Sequence, residues 1–330
     1  MSLLTITLGD PFSINAKAVE HLLDQERHRG LKILLIGSEP QFLYQTRRTL
    51  ESFQATRITD IQEISRKHNG VYFLNIDNST VAQCPRSLDK KERGRLSAKA
   101  LDALSNFEEN EKLAVLTCPI DKSAAKDSGF KHPGQTEFFS KIWGNEALMV
   151  LSGPKLRVGL VTNHLPIRDV SASLSVSLIA KKIEVFSKFL RGLGIDSPRI
   201  AVCGLNPHAS DNGLFGDEEG DFILPAIDIA LSKDNSLTID GPKSADTVFF
   251  ESYNGKYDGV LSMYHDQGLG PLKTVHFYDA VNISAGLKHL RVSPDHGPAQ
   301  DLYGTSKANL ASFEEAYRIC LKYLNHSSQQ

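Results

Sequence analysis

The chain alternates short apolar runs with longer amphipathic stretches over most of its 330 residues. The runs that predict strands are 3–8, 32–36, 71–74, 113–117, 148–151, 158–161, 200–203 and 260–263. The stretches that predict helices include 16–27, 88–107, 174–193 and 306–325. This alternation indicates an α/β protein in which a mostly parallel sheet carries helices on its faces. The length suits two domains of about 150 residues each, and the polar, turn-rich segment 120–135 is a candidate crossover between them.

The composition narrows the class of protein further. Hydrophobic residues make up 41% and charged residues 23%, as is typical of a soluble globular chain. A net charge of -2 disfavours a nucleic-acid partner, and no apolar run approaches the roughly 20 residues that a membrane span needs. The N-terminus lacks the features of a signal peptide. Four scattered cysteines without a CxxC pair predict no disulfide framework and a cytoplasmic location.

Three histidines follow predicted strands. They are His164 in VTNHLP, His208 in CGLNPHA and His265 in MYHDQGLG. The carboxyl ends of parallel strands form the edge at which open α/β sheets bind ligands, and neutral imidazole is the commonest metal ligand. Any one of them alone reads more simply as an ordinary loop or core histidine. Three at strand ends together predict a metal site.

Polar residues cluster around and after the third histidine. Asp266 is placed either to orient the imidazole of His265 or to cap the following helix. Lys273, Asn282 and Arg291 follow at similar intervals. Lys and Arg commonly hold phosphate or carboxylate groups. Each of these residues alone suits a solvated surface, whereas their restriction to one glycine-punctuated segment favours an anion pocket.

Two turns are further candidates. The turn 133–137, PGQTE, leads into a helical stretch whose N-terminus can bind an anion with help from the Thr136 hydroxyl. An ordinary capping turn explains the same residues equally well. The turn 295–297, DHG, with Asp301 beyond it, can contact the adenosine hydroxyls of a dinucleotide, or it can be a plain turn.

Several common motifs are absent from the sequence. There is no GxGxxG after a first strand, no Walker A sequence, no GxSxG elbow and no HExxH. A dehydrogenase of the usual Rossmann type is therefore disfavoured.

Nine segments together resemble the 4-hydroxythreonine-4-phosphate dehydrogenase family of pyridoxal phosphate (vitamin B6) biosynthesis. They are GDP (9–11), PGQTEFF (133–139), LRVGLVTNHLPIRD (156–169), RIAVCGLNPHA (199–209), GLFGDEE (213–219), GPKSADTVF (241–249), MYHDQGLGPLK (263–273), VNISAGL (281–287) and DHGPAQDL (295–302). They occur in order, so the resemblance covers nearly the whole chain.

The resemblance implies a fold like that of isocitrate and isopropylmalate dehydrogenases, with two α/β/α subdomains and a cleft between them. We assign 1–125 with 296–330 to the first subdomain. Residues 126–295 form the second, which carries the metal and substrate residues. The resemblance also accounts for the missing Rossmann fingerprint, because this class binds NAD differently. It implies a homodimer whose active sites are shared between subunits.

The resemblance also assigns roles to individual residues. The implied metal ligands are His164, His208 and His265. The implied substrate-binding residues are Gln135, Thr136, Lys273, Asn282 and Arg291. The implied catalytic residues are Asp246, Asp266 and Lys273. The implied cofactor-binding residues are Asp295, His296, Gly297 and Asp301.

The reaction implied by the resemblance is an oxidation of 4-phosphohydroxy-L-threonine by NAD or NADP with a divalent metal, either Zn, Mg or Co. Its 3-keto acid product loses CO₂ to give 3-amino-2-oxopropyl phosphate. Gln135 replaces the histidine of the family's GHTEF motif, and GDPFSINAKAVE replaces a glycine-rich motif. The same chemistry on phospho-threonate or phospho-erythronate therefore stays open. A zinc hydrolase and a non-catalytic binding protein are the more distant alternatives.

Overall fold

The structure is a computed structural model, and it describes residues 2–25, 30–77, 84–105, 112–144 and 146–326. Within these ranges there are twelve strands and eleven α-helices. The strands are β1 Ser2–Thr7, β2 Lys32–Gly37, β3 Ala55–Ile58, β4 Gly70–Asn75, β5 Lys112–Thr117, β6 Leu148–Ser152, β7 Arg157–Leu160, β8 Arg199–Cys203, β9 Thr238–Lys243, β10 Gly259–Ser262, β11 Val281–Ala285 and β12 Leu290–Pro294. The helices are α1 Asn15–Asp24, α2 Glu39–Thr46, α3 Lys90–Asp102, α4 Lys122–Asp127, α5 Gln135–Trp143, α6 Val170–Ser173, α7 Val176–Gly192, α8 Leu224–Lys233, α9 Ala245–Tyr253, α10 His265–Val275 and α11 Ala311–Asn325. No helix in these ranges is long and apolar enough to cross a membrane.

The chain divides into two compact units. The first comprises Met1–Asn145 and Leu287–Ser327, and the second comprises Glu146–Gly286. The first unit is larger than the sequence indicates, because it also contains 126–145 and 287–295. Two contacts explain the difference: Phe138 and Phe139 of α5 are buried in the same apolar cluster as strand residues of the first unit, and β12 pairs in parallel with β5.

The first unit contains a parallel sheet with the strand order β3-β4-β2-β1-β5-β12. Every residue of β2 is buried, and so is all of β1 except its first residue. Such continuous apolar runs are expected of strands that are covered on both faces. Helix α11 packs against β1, β5 and β12, and α3 packs against β2.

The second unit contains the strand order β11-β6-β7-β10-β8-β9. The four strands β7, β10, β8 and β9 are parallel, whereas β6 runs antiparallel to β11 and β7. Val158 and Leu160 lie in an apolar cluster with Leu272 of α10. Gly159, between them, faces Phe186 of α7. Because successive side chains of a strand point to opposite faces, α10 and α7 cover opposite faces of this sheet.

The predicted α/β class is confirmed, and each predicted strand is present. The predictions missed β3, β9, β11 and β12. Two of these are edge strands with partly exposed residues, and the other two interleave polar residues with apolar ones, so no apolar run marks them. The ends of the predicted helices 16–27 and 88–107 lie outside the described residues, and the predicted helix 306–325 begins later, at Ala311.

Helices α3 and α4 approach each other closely at Gly94. A Cβ atom added there would lie 1.9 Å from the carbonyl oxygen of Ala124. That atom belongs to the backbone of α4, so it cannot move aside as a flexible side chain can. The packing of the two helices therefore requires glycine at this position.

We predict that Gly94→Ala lowers the free energy of unfolding by about 1–3 kcal/mol, because the added methyl group overpacks the helix contact. The matched control is Gly220→Ala, an exposed position in the helical turn 219–223 before α8, where no described atom outside its chain neighbours and the helix's own backbone lies within 4 Å of the added Cβ. The control should be neutral or slightly stabilising, since alanine favours helix. Thermal unfolding of both variants measures the difference, and equal melting temperatures would contradict the packing argument.

His289 is a buried histidine of the first unit. Its ring meets the indole of Trp143 edge-on at 5.2 Å between centroids, and its Nε2 atom has no hydrogen-bond partner among the described residues. Burial, with a smaller contribution from the charge of Lys288, lowers the pKa of His289 to about 4. The imidazole is therefore neutral in the folded protein at pH 7.

This histidine should make the fold sensitive to acid. Between pH 6.5 and 4 the unfolded chain protonates His289 and the folded chain does not, so stability present above pH 6.5 is lost as the pH falls. The pKa difference corresponds to a loss of at most about 3 kcal/mol. We expect His289→Gln to remove that part of the pH dependence in urea unfolding between pH 7 and pH 4, with the exposed His68→Gln as control. An unchanged slope would contradict the prediction.

Candidate functional site

The three histidine segments begin at the carboxyl ends of three adjacent strands. Strand β10 pairs in parallel with β7 on one side and with β8 on the other. His164 follows β7, His208 follows β8, and His265 is the first residue of α10 after β10. Carboxyl ends of parallel strands share one edge of a sheet, which is where α/β sheets bind ligands.

His164 and His265 lie side by side. Their ring centroids are 5.3 Å apart, with 42° between the ring planes. The Nδ1 atom of His265 lies 2.7 Å from the Asp266 carboxylate. A carboxylate that accepts from Nδ1–H leaves the Nε2 lone pair free to bind a metal. Asp266 is therefore placed to orient the imidazole, which was one of its two predicted uses.

His208 lies in a turn with an unusual backbone. The five consecutive residues 208–212 all have φ between 46° and 69°, and none of them is glycine. A left-handed conformation costs an L-residue roughly 1–2 kcal/mol, so the rest of the structure must hold this turn. The exposed His208 ring has its Nε2 atom 3.9 Å from Oδ2 of Asp246, at the start of α9.

The histidines therefore form two separate groups, His164 with His265 and His208 with Asp246. Within the ranges that the structure describes, no group of three or more His, Cys, Asp or Glu side chains is close enough to hold a metal ion. The donor chemistry nevertheless fits a divalent metal, because two imidazoles lie side by side and one of them is oriented by a carboxylate.

Two further predicted residues lie in the same unit. Asn282 is in β11, and its side-chain Oδ1 is buried without a hydrogen-bond partner among the described residues. A buried acceptor left in this state costs about 1–3 kcal/mol, and the N–H or O–H of a bound ligand would remove that cost. Lys273 is partly buried in α10, with its Nζ 5.6 Å from the ring centroid of Phe277.

The predicted anion-binding residues of the first unit surround a buried guanidinium. Arg291, in β12, is 4% exposed. Its Nε donates to Oγ1 of Thr117 and its Nη2 donates to Oε1 of Gln135, each at 2.9 Å. Burial lowers the pKa of Arg291 to about 10, with Glu137 opposing the shift. Arg291 is thus a cation at neutral pH whose hydrogen-bond partners are neutral, as suits a residue that binds an anion.

Gln135 and Thr136 are the first two residues of α5, next to this guanidinium. The Gln135 side chain donates from Nε2 to the carbonyl oxygen of Cys118 at 3.2 Å and accepts from Arg291. Among the described residues, no side-chain hydrogen bond of Gly134 caps the N-terminus of this helix. Helix N-termini in general favour anions.

The predicted cofactor-binding turn, 295–297, makes contacts with α11 of the first unit. The backbone N–H of Asp295 donates to Ser312, and the His296 ring packs on Phe313 at 5.3 Å between centroids. No side chain in the described structure crowds Gly297, and Asp301 is exposed. The roles of these four residues in binding a cofactor stay predictions.

Sequence reasoning missed the buried residue that fixes this turn. Asp10 is 1% exposed and accepts from Gln300 at 3.0 Å and from Arg93 at 3.2 Å. Burial raises the pKa of Asp10, while the N–H of Phe12 and the charge of Arg93 oppose the rise. The sequence contains a signal for this contact, because Asp10 lies in the GDP motif (9–11) and Gln300 lies in the DHGPAQDL motif (295–302).

The comparisons with known proteins agree over nearly the whole chain. The family model described as pyridoxal phosphate biosynthetic protein PdxA matches residues 31–320. A 4-hydroxythreonine-4-phosphate dehydrogenase of Sulfurihydrogenibium sp. is 36% identical, over 96% of this chain and 97% of its own length. A D-threonate 4-phosphate dehydrogenase of Salmonella typhimurium is 34% identical, over 97% of this chain and 98% of its own.

A solved structure agrees with these relatives. The crystal structure of a 4-hydroxythreonine-4-phosphate dehydrogenase from Burkholderia phymatum is 31% identical, with a TM-score of 0.79 over 98% of this chain and 99% of the other. These relatives are dehydrogenases, so this chain is an oxidoreductase. The extent of both matches assigns the chain to the PdxA family of pyridoxal phosphate biosynthetic proteins.

Proposed function

We propose that this protein oxidises 4-phosphohydroxy-L-threonine with NAD or NADP and a divalent metal. The 3-keto acid formed then decarboxylates to 3-amino-2-oxopropyl phosphate, in pyridoxal 5′-phosphate biosynthesis. The observation that carries the proposal is the set of three histidine segments at one sheet edge, in a chain whose relatives include dehydrogenases of this name. The dehydrogenase relatives disfavour the zinc-hydrolase alternative.

Each histidine has a stated task in this proposal. His164, His208 and His265 would hold the metal, which supplies Lewis-acid polarisation of the substrate's secondary hydroxyl when bound. Asp266 keeps the His265 ring in one orientation through the contact at Nδ1. Asp246 lies close enough to His208 to do the same after a small side-chain movement.

Two cationic and two neutral polar residues would hold the substrate still. Arg291 and Thr136 bind its phosphate or carboxylate, with Lys273 as a further cation, and Asn282 accepts from a substrate donor through its buried Oδ1. Fixing both ends of a small acid holds its carbinol C–H in one orientation. A bound nicotinamide would supply the hydride acceptor for that carbon, and the hydroxyl proton would be released. The bond from the α-carbon to the carboxyl carbon then breaks, and the α-carbon takes up a proton.

Asp295, His296, Gly297 and Asp301 would contact the adenosine side of the nicotinamide cofactor. The turn that carries them is anchored through Ser312 and Gln300, so its backbone is pre-formed. We further propose a cytoplasmic homodimer with shared active sites. The cytoplasmic location is supported by the free cysteines Cys84, Cys118, Cys203 and Cys320.

Phospho-threonate is the second candidate substrate, with phospho-erythronate beside it. The Salmonella typhimurium relative is a D-threonate 4-phosphate dehydrogenase. Gln135 replaces the family's histidine, and its side-chain oxygen accepts a hydrogen bond from Arg291. A neutral amide cannot carry the positive charge of an imidazolium. The charge next to the bound substrate therefore differs from that in relatives with histidine.

We expect purified protein with Co²⁺, Mg²⁺ or Zn²⁺ to form NADH from 4-phosphohydroxy-L-threonine, with kcat/KM at least about tenfold above that for phospho-threonate or phospho-erythronate. The measurement is NADH absorbance, with metal removed by a chelator as the control. A higher kcat/KM for phospho-threonate would make phospho-threonate the assigned substrate instead. If no substrate forms NADH with any of the metals, the remaining candidate is a binding protein without turnover.

A site shared between two subunits predicts complementation. His164→Ala, His208→Ala and His265→Ala should each be inactive alone. We expect heterodimers of two such variants, purified by two different tags, to recover about half of the wild-type activity when the two histidines come from different subunits, because one of the two symmetric sites is then intact.

Two of the three pairings should recover activity in this way, if two ligands come from one subunit and the third from the other. Dimers that carry one variant under both tags are the control and should stay inactive. Failure of all three pairings, in heterodimers that form and fold, would contradict the shared site.

A further inference from the structure

The turn that carries His208 is held by a carboxylate further along the chain. Glu219 is 4% exposed. Its Oε1 accepts from the backbone N–H groups of Leu205 and Asn206, each at 2.8 Å, and its Oε2 accepts from Nδ2 of Asn206 at 3.0 Å. Three donors from the two residues before Pro207 thus converge on one buried carboxylate.

The space around this carboxylate admits little movement. A Cβ atom added at Gly204 would lie 2.7 Å from Cα of Ala209 and 2.9 Å from Oε1 of Glu219. The left-handed turn therefore folds back directly onto the backbone that Glu219 holds. Because a left-handed run of non-glycine residues is unfavourable by itself, the hydrogen bonds of Glu219 are a direct means of keeping His208 in place.

A buried amide connects this turn to the segment of His265. Gln267 is 9% exposed. Its Oε1 accepts from the backbone N–H of Met263 at 2.7 Å, and its Nε2 donates to the carbonyl oxygen of Gly204 at 2.7 Å. The amide oxygen and the amide nitrogen are both hydrogen-bonded, so the Gln267 side chain bridges the end of β8 and the end of β10.

The segment of His164 is joined to the same network. The hydroxyl of Thr162 donates to the carbonyl oxygen of Met263 at 2.7 Å, and Thr162 is 5% exposed. A continuous line of buried hydrogen bonds therefore runs from the His164 segment through Met263 and Gln267 to Glu219. A fully satisfied polar network of this kind rigidifies the groups that it connects.

We infer that Glu219 and Gln267 are positioning residues, which hold the His208 segment in the left-handed form and at a fixed distance from the His265 segment so that a divalent metal can bind. This inference rests on the proposed function, since it presumes that His208 is a metal ligand. Neither side chain touches the metal in this account. Each acts through the backbone that carries a histidine.

The test is Co²⁺ binding by isothermal titration calorimetry, without substrate or cofactor, on the full-length protein. We expect Glu219→Ala and Gln267→Leu to raise the Kd for Co²⁺ by about tenfold or more, as is typical when groups that support metal ligands are removed. Glu219→Gln keeps one acceptor oxygen and should recover most of the affinity. The control is Glu184→Ala, which removes a partly exposed carboxylate of α7 and should bind like the wild type.

The melting temperature, measured beside each titration, separates positioning from general stability. A merely structural role would lower the melting temperature of Glu219→Ala and Gln267→Leu while their Kd, measured well below that temperature, stayed at the wild-type value, and this result would overturn the inference. If Glu219→Ala does not fold, Gln267→Leu decides the question by the same criterion.

His208→Ala is the reference variant, because it separates failure of the inference from failure of the proposed metal role of His208. Loss of Co²⁺ binding in His208→Ala together with wild-type affinity in Glu219→Ala and Gln267→Leu would overturn the inference alone. Wild-type affinity in His208→Ala itself would overturn the proposed metal role of His208, and the inference with it.

Discussion

The parallel pairing of β10 with both β7 and β8 is the constraint on which the candidate metal site depends. It brings three strand ends, and therefore three loops, to one edge of the sheet of the second unit. The loops place His164 beside His265, while His208 occupies a left-handed turn next to Asp246. Without this register the imidazoles would be unrelated surface residues, since 101 residues separate His164 from His265.

The proposed substrate binding depends on buried polar groups. Burial of each group has a free-energy cost that a bound ligand would offset. In the first unit Arg291 keeps a charge in a buried place beside neutral partners, and burial depresses its pKa. In the second unit Asn282 has a buried oxygen with no donor among the described residues. An anionic substrate with hydroxyl or amino donors has the complementary groups, which is why both residues suit the binding of a phosphorylated hydroxy acid.

The sequence predicted the parts of the fold that local pattern determines. Apolar runs marked the buried strands, and so the strand-end positions of the histidines were predictable. Strand β12 was not, because Arg291 interrupts its apolar residues, and its contact with Gln135 joins positions 156 residues apart. The turn at 208–212 contains no glycine to indicate positive φ. What holds it is Glu219, whose partners are fixed by tertiary structure rather than by neighbouring residues.

The central claim is that these three histidines bind one divalent metal in a site that two copies of the chain complete. Anomalous diffraction at the cobalt edge, from crystals of the protein grown with Co²⁺, tests it directly. We predict one strong peak about 2.0–2.1 Å from an imidazole nitrogen of His164, His208 and His265, with at least one of the three contributed by a second copy. A peak away from these histidines, or all three ligands within one chain, would contradict it.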